Sequence, residues 1–156
     1  MVQIPYYGVQ ALTEAKVNAL GVAITRLFNS TKPLQPVKVE LRLVQLRTPY
    51  LDSTILAQYV AINAGKYNFL RMQKMTFKAM RCASTNKGVL PSQLTGVKLE
   101  LAGRLTTQRS IPRKTVENGH TGSFTVNKQL NSQSRSRLDF SQYASKNKLG
   151  AFTIKV

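Results

Sequence analysis

The chain has one cysteine, one histidine, no tryptophan and few acidic residues. Cys82 alone cannot build an internal disulfide framework, and a single cysteine favours a reducing compartment. With His120 as the only histidine, cysteine and histidine cannot assemble a zinc site within the chain. No apolar run approaches the roughly 20 residues that span a bilayer. The sequence therefore predicts neither a disulfide-stapled domain, nor a Cys/His metal site, nor a transmembrane helix.

The acidic residues are too scattered to indicate catalysis. All six stand singly: Glu14, Glu40, Asp52, Glu100, Glu117 and Asp139. A nucleic-acid enzyme such as an intron-encoded endonuclease or a maturase-like protein usually needs paired acids that hold a metal ion. His120 lies in a polar stretch, where a solvated loop histidine is the expected role, and no glycine-rich phosphate loop is present. We expect a binding protein that is not an enzyme and has no cofactor and no metal.

Positive charge is what the chain has in excess. Twenty-three Lys and Arg oppose six acids, which gives a net charge of +17 over 156 residues. The apolar share of 42% is ordinary for a globular domain, so the chain is not a disordered tail. Such a chain repels itself unless it binds a polyanion, and nucleic-acid phosphates are the commonest one in a cell. We expect a nucleic-acid partner, no membrane and no small-molecule substrate.

Hydrophobic periodicity predicts three helices and one strand in the first half of the chain. An apolar stripe predicts a helix over residues 13–28, and alternation predicts a strand over 37–43. Helices are then predicted from 53 to 65 and from 66 to 83. Their segregation from the later strands indicates an α+β architecture, with the helices on one face of a mostly antiparallel sheet.

Four strands are predicted after the helices, and the clearest lies at 96–105. Its apolar residues alternate with Lys98 and Glu100, and Ala102-Gly103 allows a bend before Arg104. Weaker patterns predict strands over 124–130 and 138–140, a turn over 143–148 and a last strand over 152–156. Because this last strand ends without a turn or cap, we expect the native protein to continue.

The predicted helix over 66–83 separates apolar from basic residues. At 100° per residue, an arc of about 100° contains its apolar side: Phe69, Met72, Thr76, Ala79 and Met80. An arc of about 80° on the opposite side contains four cations: Arg71, Lys74, Lys78 and Arg81. No acid of the helix pairs with them, and like charges at these spacings repel. A solvated face is the alternative, but contact with RNA or DNA explains why the repulsion is tolerated.

Further candidate RNA-binding cations follow the bend at Gly103. They are Arg104, Arg109, Arg113, Lys114, Arg135, Arg137, Lys146 and Lys148. Three tyrosines, Tyr50, Tyr59 and Tyr67, are able to stack on bases, although core packing is the expected role of two of them.

Four segments resemble, in the right order, one known family. Residues 96–105, Gly-Val-Lys-Leu-Glu-Leu-Ala-Gly-Arg-Leu, resemble the Gly-x-Lys-Val-x-Val-Ser-Gly-Arg-Leu signature of the universal small-subunit ribosomal protein S-three family. Residues 47–52, Arg-Thr-Pro-Tyr-Leu-Asp, resemble the link that opens its C-terminal domain. Residues 69–74, Phe-Leu-Arg-Met-Gln-Lys, resemble the Phe-Arg-Arg-Ala-Met-Lys segment of its long helix. Residues 149–156 resemble its closing strand.

The resemblance implies two domains and a structural role in translation. Residues 1–46 resemble the second half of a KH domain, without its Gly-x-x-Gly loop, and 47–156 resemble the C-terminal domain, with two helices on one face of a four-stranded sheet. The family implies a place in the head of the small ribosomal subunit, at the mRNA entry channel, with ribosomal RNA, mRNA and neighbouring head proteins as partners. Arg71 and Lys74 fall on two cations of the long-helix segment, whereas Leu70 replaces its first arginine.

The reduced KH region and the long polar loops resemble the fungal mitochondrial branch of that family. This implies a mitochondrial ribosome, with a cytoplasmic or other organellar ribosome as the alternative. The start of the chain lacks a transit-peptide pattern, which is compatible with synthesis inside the organelle. Two alternative functions remain: an organellar nucleic-acid enzyme, such as an intron-encoded endonuclease or a maturase-like protein, and a free RNA chaperone, which should sediment apart from ribosomes.

Overall fold

The computed structural model describes residues 1–8, 13–31, 36, 38–85, 94–108, 110, 112, 115–124 and 138–156. The chain divides into two compact units, Met1–Thr48 and Pro49–Val156. Among the described residues, no helix is both long and apolar enough to cross a membrane.

The first unit is a strand, a helix and a second strand. Strands β1 (Val2–Tyr6) and β2 (Leu41–Gln45) pair in parallel, and helix α1 (Glu14–Thr31) lies between them in the chain. The helix predicted over 13–28 is confirmed, and its first turn forms on the Thr13 carbonyl. The strand predicted over 37–43 begins later, because its pairing with β1 starts where Val2 lies opposite Leu41. That this unit corresponds to the second half of a KH domain stays a prediction.

The second unit begins with two helices, close to their predicted bounds. Helix α2 (Ser53–Asn63) is capped by Asp52, whose carboxylate accepts a hydrogen bond from the Ile55 amide at 2.9 Å. A capping carboxylate satisfies a free amide and lies at the positive end of the helix dipole. Helix α3 (Phe69–Thr85) follows after a short turn.

The second unit ends in a four-stranded sheet in which every pairing is antiparallel. Its strands are β3 (Gly96–Ala102), β4 (Val116–Gly122), β5 (Gln142–Asn147) and β6 (Gly150–Lys155), in the order β4-β3-β6-β5. Helix α2 packs on β5 and β6, and α3 packs on β3. The predicted α+β class, with two helices on one face of a mostly antiparallel sheet, is confirmed.

The core lies between this helical layer and the two central strands. Its largest fully buried side chains come from both layers and from the loop after β3: Phe69, Leu56, Leu99, Leu101, Leu105, Ile154 and Val60. Alternation along β3 and β6 puts Leu99, Leu101 and Ile154 on the covered face. Lys98 and Lys155 lie on the opposite face.

One of the weaker strand predictions is wrong, and so is the turn predicted over 143–148. The predicted strand over 138–140 is irregular, with Leu138 and Phe140 78% and 65% exposed. Pairing instead begins at Ser141, which exchanges two backbone hydrogen bonds with Val156, and β5 occupies the stretch predicted as a turn. In the strand predicted over 124–130, Phe124 lies beyond the end of β4 and residues 125–130 lie outside the described residues.

On the uncovered face of the sheet, Glu100 on β3 pairs with Lys155 directly opposite on β6. The Lys155 Nζ lies 2.8 Å from the Glu100 carboxylate. This hydrogen bond, together with the positive charges of Lys155 and Lys98, lowers the pKa of Glu100 below its ordinary value of 4.5. The pair therefore joins the two central strands through a contact that depends on pH.

The lowered pKa of Glu100 predicts a pH-dependent contribution to stability. The contribution is present above pH 4.5 and is lost as the pH falls through the folded-state pKa. The stability advantage of the native chain over Glu100→Gln should therefore shrink as the pH falls below 4.5. Urea unfolding from pH 7 to pH 3 measures it, with Glu40→Gln, which changes an exposed acid, as the control. A difference that does not change with pH would contradict this origin.

Candidate nucleic-acid interface

One face of α3 is a row of exposed cations. Arg71, Lys74, Lys78 and Arg81, named here the basic row, are all exposed. On the opposite side, Phe69, Met72 and Met80 are 0%, 6% and 5% exposed. The predicted separation of charged and apolar faces is confirmed, while the contact of the basic row with nucleic acid stays a prediction.

The buried side of α3 differs from the prediction at one position. Ala79, predicted to face the core, is exposed, whereas Gln73 is only 8% exposed. Gln73 packs against Gly119 on β4, where a Cβ atom would occupy the space of the Gln73 amide nitrogen. A glycine on the sheet thus admits a polar side chain that hydrophobic periodicity alone cannot assign to the interior.

A polar cluster fixes the start of α3 against the loop that follows β3. The Gln108 Nε2 donates to the Asn68 side-chain oxygen at 3.0 Å and to both carboxylate oxygens of Glu117 at 3.2 Å. Gln108 is 7% exposed, so these bonds form away from bulk water, where they are stronger. The Asn68 carbonyl accepts the amides of Arg71 and Met72. The first turn of α3, which carries Arg71, is therefore held by β4 and by the loop that follows β3.

Gly103 and Arg104 connect the same loop to the β5–β6 turn. The Asn147 side-chain Nδ2 donates to the Arg104 backbone carbonyl at 2.7 Å. Gly103 has a φ of +116° and its amide donates to the Thr115 carbonyl at 2.9 Å. The Arg104 guanidinium is half-buried, and its Nε is buried without a hydrogen-bond partner. These contacts bring Arg104 next to the β5–β6 turn, which carries Lys148.

The remaining predicted cations lie elsewhere on the unit or outside the described residues. Lys146 is exposed on β5, opposite Ala151, on the face of the sheet away from the helices. With a rise of 1.5 Å per residue, Lys78 and Arg81 lie about 10 and 15 Å along α3 from Arg71. Five predicted residues lie outside the described part of the chain: Arg109, Arg113, Lys114, Arg135 and Arg137.

The described residues offer the basic row no acidic partner. Helix α3 carries no acid, and within the described ranges no ion pair involves its four cations. His120, predicted in a loop, lies in β4 and is exposed opposite Lys98. In the part of the chain that the structure describes, no group of three or more His, Cys, Asp or Glu could hold a metal ion. The basic row is therefore an exposed group of cations without an acidic partner among the described residues.

The three tyrosines do not divide as the sequence predicts. Tyr50 packs against the core, but Tyr59 and Tyr67 are 41% and 42% exposed, so the expectation that two of the three pack in the core is wrong. The Arg71 guanidinium lies over the Tyr67 ring, 5.2 Å from its centroid. The sequence signal for this contact is spacing, since Tyr67 precedes Arg71 by four positions. Sequence reasoning also missed the positioning role of Gln108 and Glu117.

Comparison with known proteins identifies the family. The family model for the mitochondrial ribosomal protein (VAR1) matches residues 8–156. The chain is 35% identical over 134 residues to the small ribosomal subunit protein uS3m of Mycosarcoma maydis. That match covers 83% of this chain and 49% of the relative, so the chain spans about half the relative's length.

These matches confirm the resemblance to the S-three family and its fungal mitochondrial branch. Both matches are to ribosomal proteins. The chain belongs to the mitochondrial ribosomal protein (VAR1) family.

Proposed function

We propose that the chain is a structural constituent of the small subunit of the mitochondrial ribosome. In this proposal it lies in the head, near the mRNA entry channel, and binds ribosomal RNA and incoming mRNA. Family membership and the small-subunit name of the Mycosarcoma maydis relative support the ribosomal role. The net charge of +17 supports binding to a polyanion.

The basic row is the observation that carries the RNA-binding part of the proposal. Four like charges on one helix face, at spacings of three and four residues, repel one another. The opposite side of the helix is buried, so α3 cannot rotate to spread these charges. Phosphate groups along an RNA strand would relieve the repulsion, whereas a face exposed only to water would retain it.

The proposed mechanism is phosphate neutralisation without covalent chemistry. Each Lys or Arg that contacts a phosphate releases condensed counterions, and this release drives binding. The buried residues of α3 and the Gln108 cluster hold the helix, so the cations keep their spacing when RNA is absent. Less entropy is then lost on binding than if a flexible segment had to fold around the RNA.

A second group of contacts is proposed at the end of the unit where Arg104 and Lys148 lie. Exposed Lys146 and the five predicted cations outside the described residues are further contacts in the proposal, with ribosomal RNA as the partner. Neighbouring head proteins are further partners. Arg104 has two possible roles here, to contact a phosphate or to position the loop through its half-buried side chain.

Sedimentation at increasing salt tests the ribosomal role. We expect the chain to sediment with mitochondrial small subunits through salt washes that remove loosely bound basic proteins. Purified chain should bind single-stranded RNA with an affinity that falls by roughly 0.7 log units per phosphate contact per decade of salt. Sedimentation apart from the subunits, with RNA binding retained, would favour the free chaperone and contradict the ribosomal assignment.

A further inference from the structure

Tyr67 lies in the turn between α2 and α3, four residues before Arg71. Its contact with Arg71 places the ring next to the first cation of the basic row. Arg71 lies over the ring at 5.2 Å, and 42% of Tyr67 remains exposed. The ring is thus held by Arg71 and keeps part of its surface accessible to a ligand.

The backbone of Tyr67 is fixed on both sides. Its amide donates to the Asn63 carbonyl at 3.0 Å, at the end of α2. Its carbonyl accepts the Thr107 hydroxyl at 3.4 Å, from the loop after β3. The next residue, Asn68, is held by Gln108 at 3.0 Å. The ring therefore stands on a rigid base and needs little ordering before it can bind a flat ligand.

We propose that Tyr67 and Arg71 form a stacking platform for an unpaired RNA base next to the phosphate contacts of the basic row. The inference rests on the proposed function, because it assigns a base contact to the surface proposed to bind the RNA backbone. Unpaired bases stack on tyrosine rings and on arginine guanidinium planes. Such stacking tolerates any sequence, since every base has a π-face.

The platform discriminates between single-stranded and paired RNA. A base inside a helix has both faces covered by its neighbours, so only an unpaired base can lie on Tyr67. The phosphate contacts at Lys74 and Lys78 favour either form of RNA. A strand held by the basic row and stacked on Tyr67 is therefore stabilised in its open form.

The pair could instead serve only within the protein, with the ring ordering the Arg71 side chain by cation–π attraction. The two roles predict different dependence on the bases. If the ring only orders Arg71, its loss weakens binding equally for RNA with and without bases. If it stacks on a base, its loss weakens binding only when bases are present.

Binding of two single strands of equal length separates these roles: oligouridine, and an abasic ribose-phosphate strand. In the 156-residue chain, Tyr67→Leu should weaken binding of oligouridine about five- to tenfold. It should leave binding of the abasic strand within about twofold. Tyr67→Phe keeps the ring and should bind both strands as the native chain does. Tyr7→Leu, which changes a similarly exposed tyrosine of the first unit, is the matched control and should change neither.

The salt dependence of the same titrations gives a second readout. Tyr67→Leu should keep the native slope of log affinity against log salt, while Arg71→Ala should reduce it by about 0.7. Equal loss on both strands, or no loss on oligouridine, would overturn the stacking platform and leave the basic row intact. Absence of salt-dependent binding by the native chain would overturn the proposed RNA-binding function itself. Circular dichroism melting of each variant excludes loss of fold as the cause.

Discussion

Replacing Gly103 by alanine should lower the free energy of unfolding of the second unit by about 2–4 kcal/mol. Gly103 has a φ of +116°, where a residue with a side chain is strained. An added Cβ would also lie 2.9 Å from the Ala151 carbonyl oxygen and from the Phe152 Cα and Cβ. These atoms belong to β6 and cannot withdraw without disturbing the pairing of β3 with β6.

Gly150→Ala separates the two contributions. Gly150 has a similar φ of +125°, but an added Cβ would meet no atom within 4 Å. It should therefore cost only the conformational strain, about 1–2 kcal/mol. Urea unfolding followed by circular dichroism compares the two variants at one pH. Equal losses would mean that the close approach of β6 contributes nothing, and that φ alone makes Gly103 necessary.

The Gly103 bend links the fold to the candidate site. Beyond it, Leu105 enters the core and Gln108 reaches Asn68 at the start of α3. A loss of the bend would therefore disturb both the sheet and the loop that holds the first turn of α3. For this reason Gly103→Ala is a poor probe of RNA binding, and variants on exposed side chains are preferable.

Sequence patterns predicted the strands and helices in which the apolar side chains by themselves identify the buried face. In β3, Val97, Leu99 and Leu101 alternate with polar residues, and in β6 Phe152 and Ile154 do the same. These periods specify the buried face without knowledge of any partner. The bounds of α3 and the exposure of its cations follow in the same way from local spacing.

Strand β4 could not be predicted because its inward positions are not apolar. Glu117, Gly119 and Thr121 face the helices, where a periodicity argument expects hydrophobic residues. Glu117 is accommodated by Gln108, and Gly119 leaves space for Gln73. Both compensations come from residues distant in the chain, so the polar pattern of β4 alone indicates a loop.

The sequence predicted which cations share a face of α3, but it did not predict which other residues contact them. Cations at three- and four-residue spacing on a helix share a face wherever the helix packs. The contact of Tyr67 with Arg71, and its anchoring by Thr107, depend on how the loop after β3 meets α3. The bend at Gly103 determines where this loop contacts α3. The sequence indicates that a bend is present, but it does not specify the direction in which the chain continues.

Removing two cations from the basic row should impair translation of structured messages selectively. Arg71→Ala combined with Lys74→Ala should lower initiation on a hairpin-blocked mRNA about five- to tenfold, since two phosphate contacts to the incoming strand are lost. Translation of an unstructured message, and assembly of the small subunit in gradient profiles, should stay within about twofold. Both residues are exposed, so the fold should be preserved.

Two further variants sharpen this expectation. Lys16→Ala combined with Arg26→Ala removes the same charge from exposed positions of α1 and should leave hairpin translation unchanged. Leu70→Arg adds a cation at a position that is 51% exposed on α3, next to Arg71, and should raise hairpin translation above the native level. Normal translation of the hairpin-blocked message by the Arg71/Lys74 double variant would overturn the role at the mRNA entrance. Because the basic row would then remain an RNA-binding face without mRNA as its partner, ribosomal RNA would become the ligand to test.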